Sequence, residues 1–197
     1  LFLLHVAYLL FTQNFVIVSS ERFMVVTFIG HRDILFGDDL PLRLKELVLT
    51  LIDDRGADTF LFGSRSDFDE LCLEVVTELQ RQRRGIKRVY VRAEYPHVGK
   101  GYEEGLLCSY DATYIPSNVA GAGRAVYVER NRHMIDRADI CVFYYDEGYE
   151  PPPKPAARGR AVGEQPKSGT KIAYEYALRR GKEIVNLFHA AGQGARG

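Results

Sequence analysis

The sequence carries no net charge: 26 Lys and Arg balance 26 Asp and Glu. No global field therefore draws the protein to DNA, RNA or an anionic membrane, and such a contact would need a local patch. Tryptophan is absent and cysteine is scarce. Cys72, Cys108 and Cys141 form an odd set without C-x-x-C spacing, each in or near an apolar segment. They read as small core residues of a reducing compartment, and neither zinc nor another metal is expected. Signature motifs are missing too. No G-x-G-x-x-G follows the first predicted strand and no G-x-x-x-x-G-K-[ST] occurs, which argues against a standard dinucleotide site and a P-loop ATPase. G-x-S-x-G and H-E-x-x-H are also absent, which removes the usual hydrolase elbow and zinc-protease helix. No cofactor is called for.

The first residues, LFLLHVAYLLFTQNFVIV, are strongly apolar but interrupted by His5, Thr12, Gln13 and Asn14. They lack the basic start and small-residue cleavage site of a signal peptide, and they are short and polar for a membrane span. Met24 directly precedes the first clean strand. The reading adopted is that residues 1–23 are an extension upstream of the domain, with a membrane anchor as the alternative. If that extension is not native, no membrane partner is expected and the location is cytoplasmic.

From Met24 onward, apolar runs alternate with helical periodicity. Predicted strands cover residues 25–29, 59–62, 88–91, 112–115, 140–145 and 184–188. Predicted helices cover 40–52, a segment after Ser66, 124–137 and 170–180. Residues 94–110 read as irregular, 146–167 as a long proline-rich loop and 190–197 as a frayed tail. Most strands are apolar on both faces, the mark of a parallel sheet covered on both sides. The fold class is therefore α/β: one Rossmann-like, three-layer domain over residues 24–189, with a mostly parallel sheet flanked by helices.

In such a sheet, ligands gather at the carboxyl ends of the strands, near helix N-termini. Three small-residue loops fall there: Gly30-His31-Arg32-Asp33, the Gly63-Ser64 loop, and Ser168-Gly169-Thr170. Small residues let backbone N–H groups approach an anion, and the helix dipole favours negative charge. Each loop also has a plain reading, since Ser168 is simply a good helix cap. The helix over YVERNRHMIDRAD sets Arg130, His133 and Arg137 on one face. Tyr127, Met134, Ile135 and Ala138 supply its buried side, and Asn131 falls toward that side to brace a loop. Arg130 offers a planar fork suited to phosphate. Its plain reading is a surface pair with Glu129 or Asp136.

The order GHRD, a glycine loop with FD, RNRHMID and SGT resembles the SLOG superfamily over roughly residues 24–188. That Rossmann-like group includes the Lonely Guy phosphoribohydrolases, the DNA-processing protein A family and YpsA-type proteins of uncertain function. Arg130-Asn131-Arg132 is similar to the R-N-R of the DNA-processing proteins, and Arg130 with Met134 to the R-x-x-x-M of the Lonely Guy enzymes. Of the enzymes' P-G-G-x-G-T-x-x-E, only Gly169 and Thr170 match. The glutamate position falls on Ala173, and Glu175 is two residues on, about 200° further round a helix.

The expectation is a site for a nucleotide or nucleotide-derived molecule, with phosphate held by Gly30, His31, Arg32, Gly63, Ser64, Arg130, Ser168, Gly169 and Thr170. The alternative is cleavage of the N-glycosidic bond of a nucleoside monophosphate, with Glu175 or Asp33 as the catalytic carboxylate. A single-stranded DNA module ranks last because the net charge is zero. Homodimerisation is compatible with the sequence.

Overall fold

MVVTFIG, rich in β-branched and aromatic residues that suit a pleated surface, forms β1 (Met24–Gly30) in the middle of the sheet. The computed structural model describes residues 23–34, 37, 39–93, 101–150 and 168–188. Within them β1 pairs in parallel with β2 (Ala57–Phe62) on one side and β5 (Ile140–Tyr144) on the other. Beyond β2 lie β3 (Lys87–Val91) and β4 (Ala112–Tyr114), and beyond β5 lies β6 (Glu183–Asn186). The order is β4-β3-β2-β1-β5-β6, every described pairing is parallel, and the direction of winding reverses between β1 and β5.

The period-2 alternation of β1 sorts its side chains between two cores. Val26 and Phe28 join Phe60, Phe62, Ile140 and Val142 under α1 (Leu40–Asp53) and α2 (Asp67–Gln82). Ile29 faces the other way, toward the layer of α4 (Val126–Arg137) and α5 (Gly169–Arg179), with Ile135, Cys141, Phe143, Ala173 and Ala177. Full burial of each large apolar side chain contributes about 1.5–3 kcal/mol, so both layers are held firmly to the sheet. The result is the three-layer, Rossmann-like α/β domain that the alternation predicts.

Several expectations change. The stretch read as irregular contains α3 (Gly101–Leu107). Gly101 and Gly105 mask its helical pattern, but Leu106 and Tyr110 are buried against the first core and supply the stabilisation that local propensity lacks. The helix read from residue 124 opens with a 3-10 turn at Gly123–Ala125, and Tyr127, expected on its buried side, is 55% exposed. Cys108 is exposed rather than core, donating from Sγ to the Glu104 carbonyl, whereas Cys72 and Cys141 are buried. The last strand ends at Asn186, not at residue 188. The extension up to residue 22, the proline-rich loop from residue 151 and the tail from 189 lie outside the described residues. Among the described residues no helix is long and apolar enough to cross a membrane.

Candidate functional site

The loop after β2 is organised by the first turn of α2. Ser66 caps that helix, its Oγ accepting from the Asp69 amide at 3.2 Å. Asp69 is 3% exposed, and it accepts from Ser64 Oγ and Ser66 Oγ at 2.7 Å each. The amides of Ser64 and Gly63 also point to its Oδ1, at 3.3 and 3.5 Å. An internal carboxylate thus occupies the small-residue nest that the sequence suggests for phosphate. The pattern Ser66-x-x-Asp69 signals the cap, but its wider reach through Ser64 depends on the folded loop.

Gly63 is glycine for a steric reason. A Cβ there would lie 2.6 Å from Met134 Sδ and 2.8 Å from Arg130 Nε. Arg130 enters this space from the second turn of α4. It is 5% exposed, and Nε and Nη2 donate to Asn131 Oδ1 at 3.2 and 2.9 Å. Asn131 therefore braces its neighbour's guanidinium rather than a loop. The Arg130 Cζ lies 5.6 Å from the centroid of Tyr127.

Burial pushes the Arg130 pKa down, opposed by the charge of Asp69 and by Tyr90, Tyr127 and Tyr102. The guanidinium keeps its proton nonetheless. Neither Glu129 nor Asp136 pairs with it: Glu129 holds Arg132 at 2.8 Å and Asp136 holds Arg180 at 2.8 Å. Arg130 is a desolvated cation without an ion pair among the described residues.

A second group assembles at the end of β1. A Cβ on Gly30 would strike the Phe68 ring at 2.5 Å, so this glycine too admits a side chain of α2 or α4. Its carbonyl accepts from Thr170 Oγ1 at 2.7 Å, which fixes the start of α5 against the strand. Ser168 caps α5, its Oγ accepting from the Lys171 amide at 3.1 Å, and a Cβ on Gly169 would meet no atom of the described residues within 4 Å. His31 is 2% exposed, bonded to the loop after β5 through the Asp146 amide at 3.0 Å.

Gly30, His31, Ser168, Gly169 and Thr170 therefore gather around β1, while Gly63, Ser64 and Arg130 gather around the neighbouring β2. Arg32 and Asp33 are exposed beside Tyr149, whose hydroxyl feels both charges. Glu175 is half-buried on α5, its charge acting on Tyr145. Ala173, where the resemblance would place a glutamate, is 2% exposed in the core. His133 turns from the site to meet the Tyr114 hydroxyl at 3.0 Å. Among the described residues no three His, Cys, Asp or Glu side chains cluster to hold a metal.

Sheet order and layering define a Rossmann-like three-layer α/β domain. No protein-family profile matches the chain, and no curated protein matches it in sequence. Among solved structures it is similar to the Moco carrier protein of Chlamydomonas rheinhardtii, at 16% identity and a TM-score of 0.43, over 83% of this chain and 74% of that one. So distant a likeness brings no ligand with it.

Proposed function

We propose that the protein binds a nucleotide or nucleotide-derived small molecule at the carboxyl ends of β1 and β2, with Arg130 holding its phosphate. The observation that carries this reading is the state of Arg130: a guanidinium 5% exposed whose one hydrogen-bond acceptor among the described residues is the neutral Asn131 Oδ1. Two of its five N–H groups are used there; the charge of Asp69 acts on it but no ion pair forms among the described residues, and burying a cation without an ion pair is costly. A phosphate matches the planar fork and would supply a direct ion pair. Motif order supports the same reading through the SLOG resemblance, in which the R-x-x-x-M and G-T positions belong to a nucleotide site.

The remaining residues have assigned parts. Gly63 leaves room for the arginine, Asn131 orients it and Ser64 borders it. Gly30, His31, Ser168, Gly169 and Thr170 line the neighbouring strand end, with Arg32 at the rim. Binding is favoured over glycosidic cleavage because the position of the enzymes' glutamate is a core alanine, Ala173.

The test is a thermal-shift panel of nucleotides and nucleotide sugars. A ligand at a hundred times its dissociation constant adds about 2.7 kcal/mol of stability. Shifts with phosphorylated ligands that vanish in Arg130→Met support the reading; an unshifted melting curve across the whole panel defeats it.

A further inference from the structure

Helical periodicity predicts Tyr127 on the buried side of α4, yet it is 55% exposed. Arg130 lies three residues on, so the two side chains share one face of the helix, with Cβ atoms about 5–6 Å apart. They also meet: the Arg130 Cζ lies over the Tyr127 ring, 5.6 Å from its centroid. A cation over an aromatic face is attracted by the ring quadrupole, which steadies the ring beside the guanidinium.

Only one face of the ring is used in this way. Among the described residues no second ring or cation packs on it, and its hydroxyl makes no hydrogen bond. An aromatic ring held on one face and open to water on the other is ready to stack with a further flat group.

Little crowds the ring. Helical side chains lean toward the N-terminus, over the preceding turn. Before Tyr127 that turn is Gly123–Ala125, preceded by Ala120, Gly121 and Ala122, so apart from Arg124 nothing there exceeds a methyl group. A Cβ on Gly121 or Gly123 would meet no atom of the described residues within 4 Å. Across the contact, Arg130 gives two of its five N–H groups to Asn131 Oδ1 and has three unused among the described residues.

We propose that Tyr127 is the stacking platform for the ligand's base, its open face taking a flat heteroaromatic ring while the phosphate of the same molecule sits on the unused N–H groups of Arg130. The inference rests on the Arg130 reading above and narrows its ligand class to phosphate esters that carry an aromatic ring one sugar away from the phosphate. The two contacts are one helical turn apart, a gap that a nucleoside 5′-monophosphate bridges through its ribose. Every base has a π face, so this platform favours a base over none without choosing among bases. A sugar phosphate lacking a base fills only the Arg130 half of the site.

The experiment is isothermal titration of the full chain with each of the four common ribonucleoside 5′-monophosphates and, separately, with ribose 5-phosphate. Wild type is expected to bind the best of the four at least about tenfold more tightly than the sugar phosphate. Tyr127→Leu, at an exposed position, should cut that advantage to about twofold while ribose 5-phosphate binds as before. Tyr127→Phe keeps the ring and should keep the advantage. Should Tyr127→Leu not fold, the ring-proton signals of Tyr127 in wild type decide: an upfield shift with the nucleotide and none with ribose 5-phosphate supports the platform. An advantage in wild type below about tenfold, one that survives Tyr127→Leu or is lost in Tyr127→Phe, or ring signals that stay still overturn it. Each of these leaves the Arg130 reading standing as long as ribose 5-phosphate binds. Failure of wild type to bind any of these compounds removes the Arg130 reading as well.

Discussion

Gly63 and Arg130 compete for one volume. A Cβ on the glycine that follows β2 would sit 2.8 Å from Nε and 3.1 Å from Cδ of the arginine, with Met134 Sδ closer still at 2.6 Å. The arginine reaches the end of the sheet only because its neighbour across the layer has no side chain. The same glycine offers its amide to Asp69 at 3.5 Å, so a buried cation and a buried carboxylate flank one residue.

Gly63→Ala therefore has two effects. Overpacking destabilises by about 1–3 kcal/mol, read by urea denaturation, and displacement of the guanidinium weakens phosphate binding in titration calorimetry. A variant of wild-type stability and affinity would show that the two groups do not share this space.

Arg130→Met separates stability from binding. It removes a desolvated cation that has no ion pair, so the folded state keeps its stability within about 1 kcal/mol or gains some. The melting shift produced by phosphorylated ligands disappears. A large loss of stability would instead make Arg130 a structural residue.

Asp69→Asn is expected to be costly for the fold. The carboxylate accepts from Ser64 Oγ and Ser66 Oγ at 2.7 Å each while 3% exposed, and a hydrogen bond to a charged group contributes about 1.5–3 kcal/mol. The comparison is Glu78→Gln, which breaks the Lys45–Glu78 pair at 2.7 Å. That pair is solvent-exposed and contributes about 0–1 kcal/mol.

Burial lowers the His31 pKa below its ordinary 6.5, so the folded state resists a proton that the unfolded chain accepts. Its contribution to stability is whole above the unfolded value and is lost as pH falls through it toward the lower folded value. His133 is lowered too, by burial and then by Arg137, with Asp136 opposing. The melting temperature is thus expected to drop between about pH 7.5 and about pH 5.5. In His31→Phe the drop shrinks to the His133 share. A pH-independent melting temperature in wild type over that window contradicts the assignment.

The sheet was legible because β1, β2 and β5 are unbroken apolar runs, whose strand character needs no distant partner to be recognised. α3 was hidden by Gly101 and Gly105, since its helix rests on Leu106 reaching the core rather than on local propensity. The glycines at the ends of β1 and β2 were visible as glycines, but not their immediate reason. Phe68 fills the space beside Gly30, and Met134 with Arg130 fills that beside Gly63; both contacts exist only once α2 and α4 have docked. Asp69 likewise stood in the sequence as a capping residue, while its hold on Ser64 depends on the folded loop. Arg130 was legible as a fork for phosphate, yet its burial and its Asn131 partner were not.

The most direct measurement is a paired titration of a nucleoside and its 5′-phosphorylated form against wild type and Arg130→Met. The account predicts that phosphorylation tightens binding to wild type at least about tenfold, and that the advantage is absent in Arg130→Met. Equal binding of the two forms by wild type, or an advantage that survives loss of the guanidinium, contradicts it.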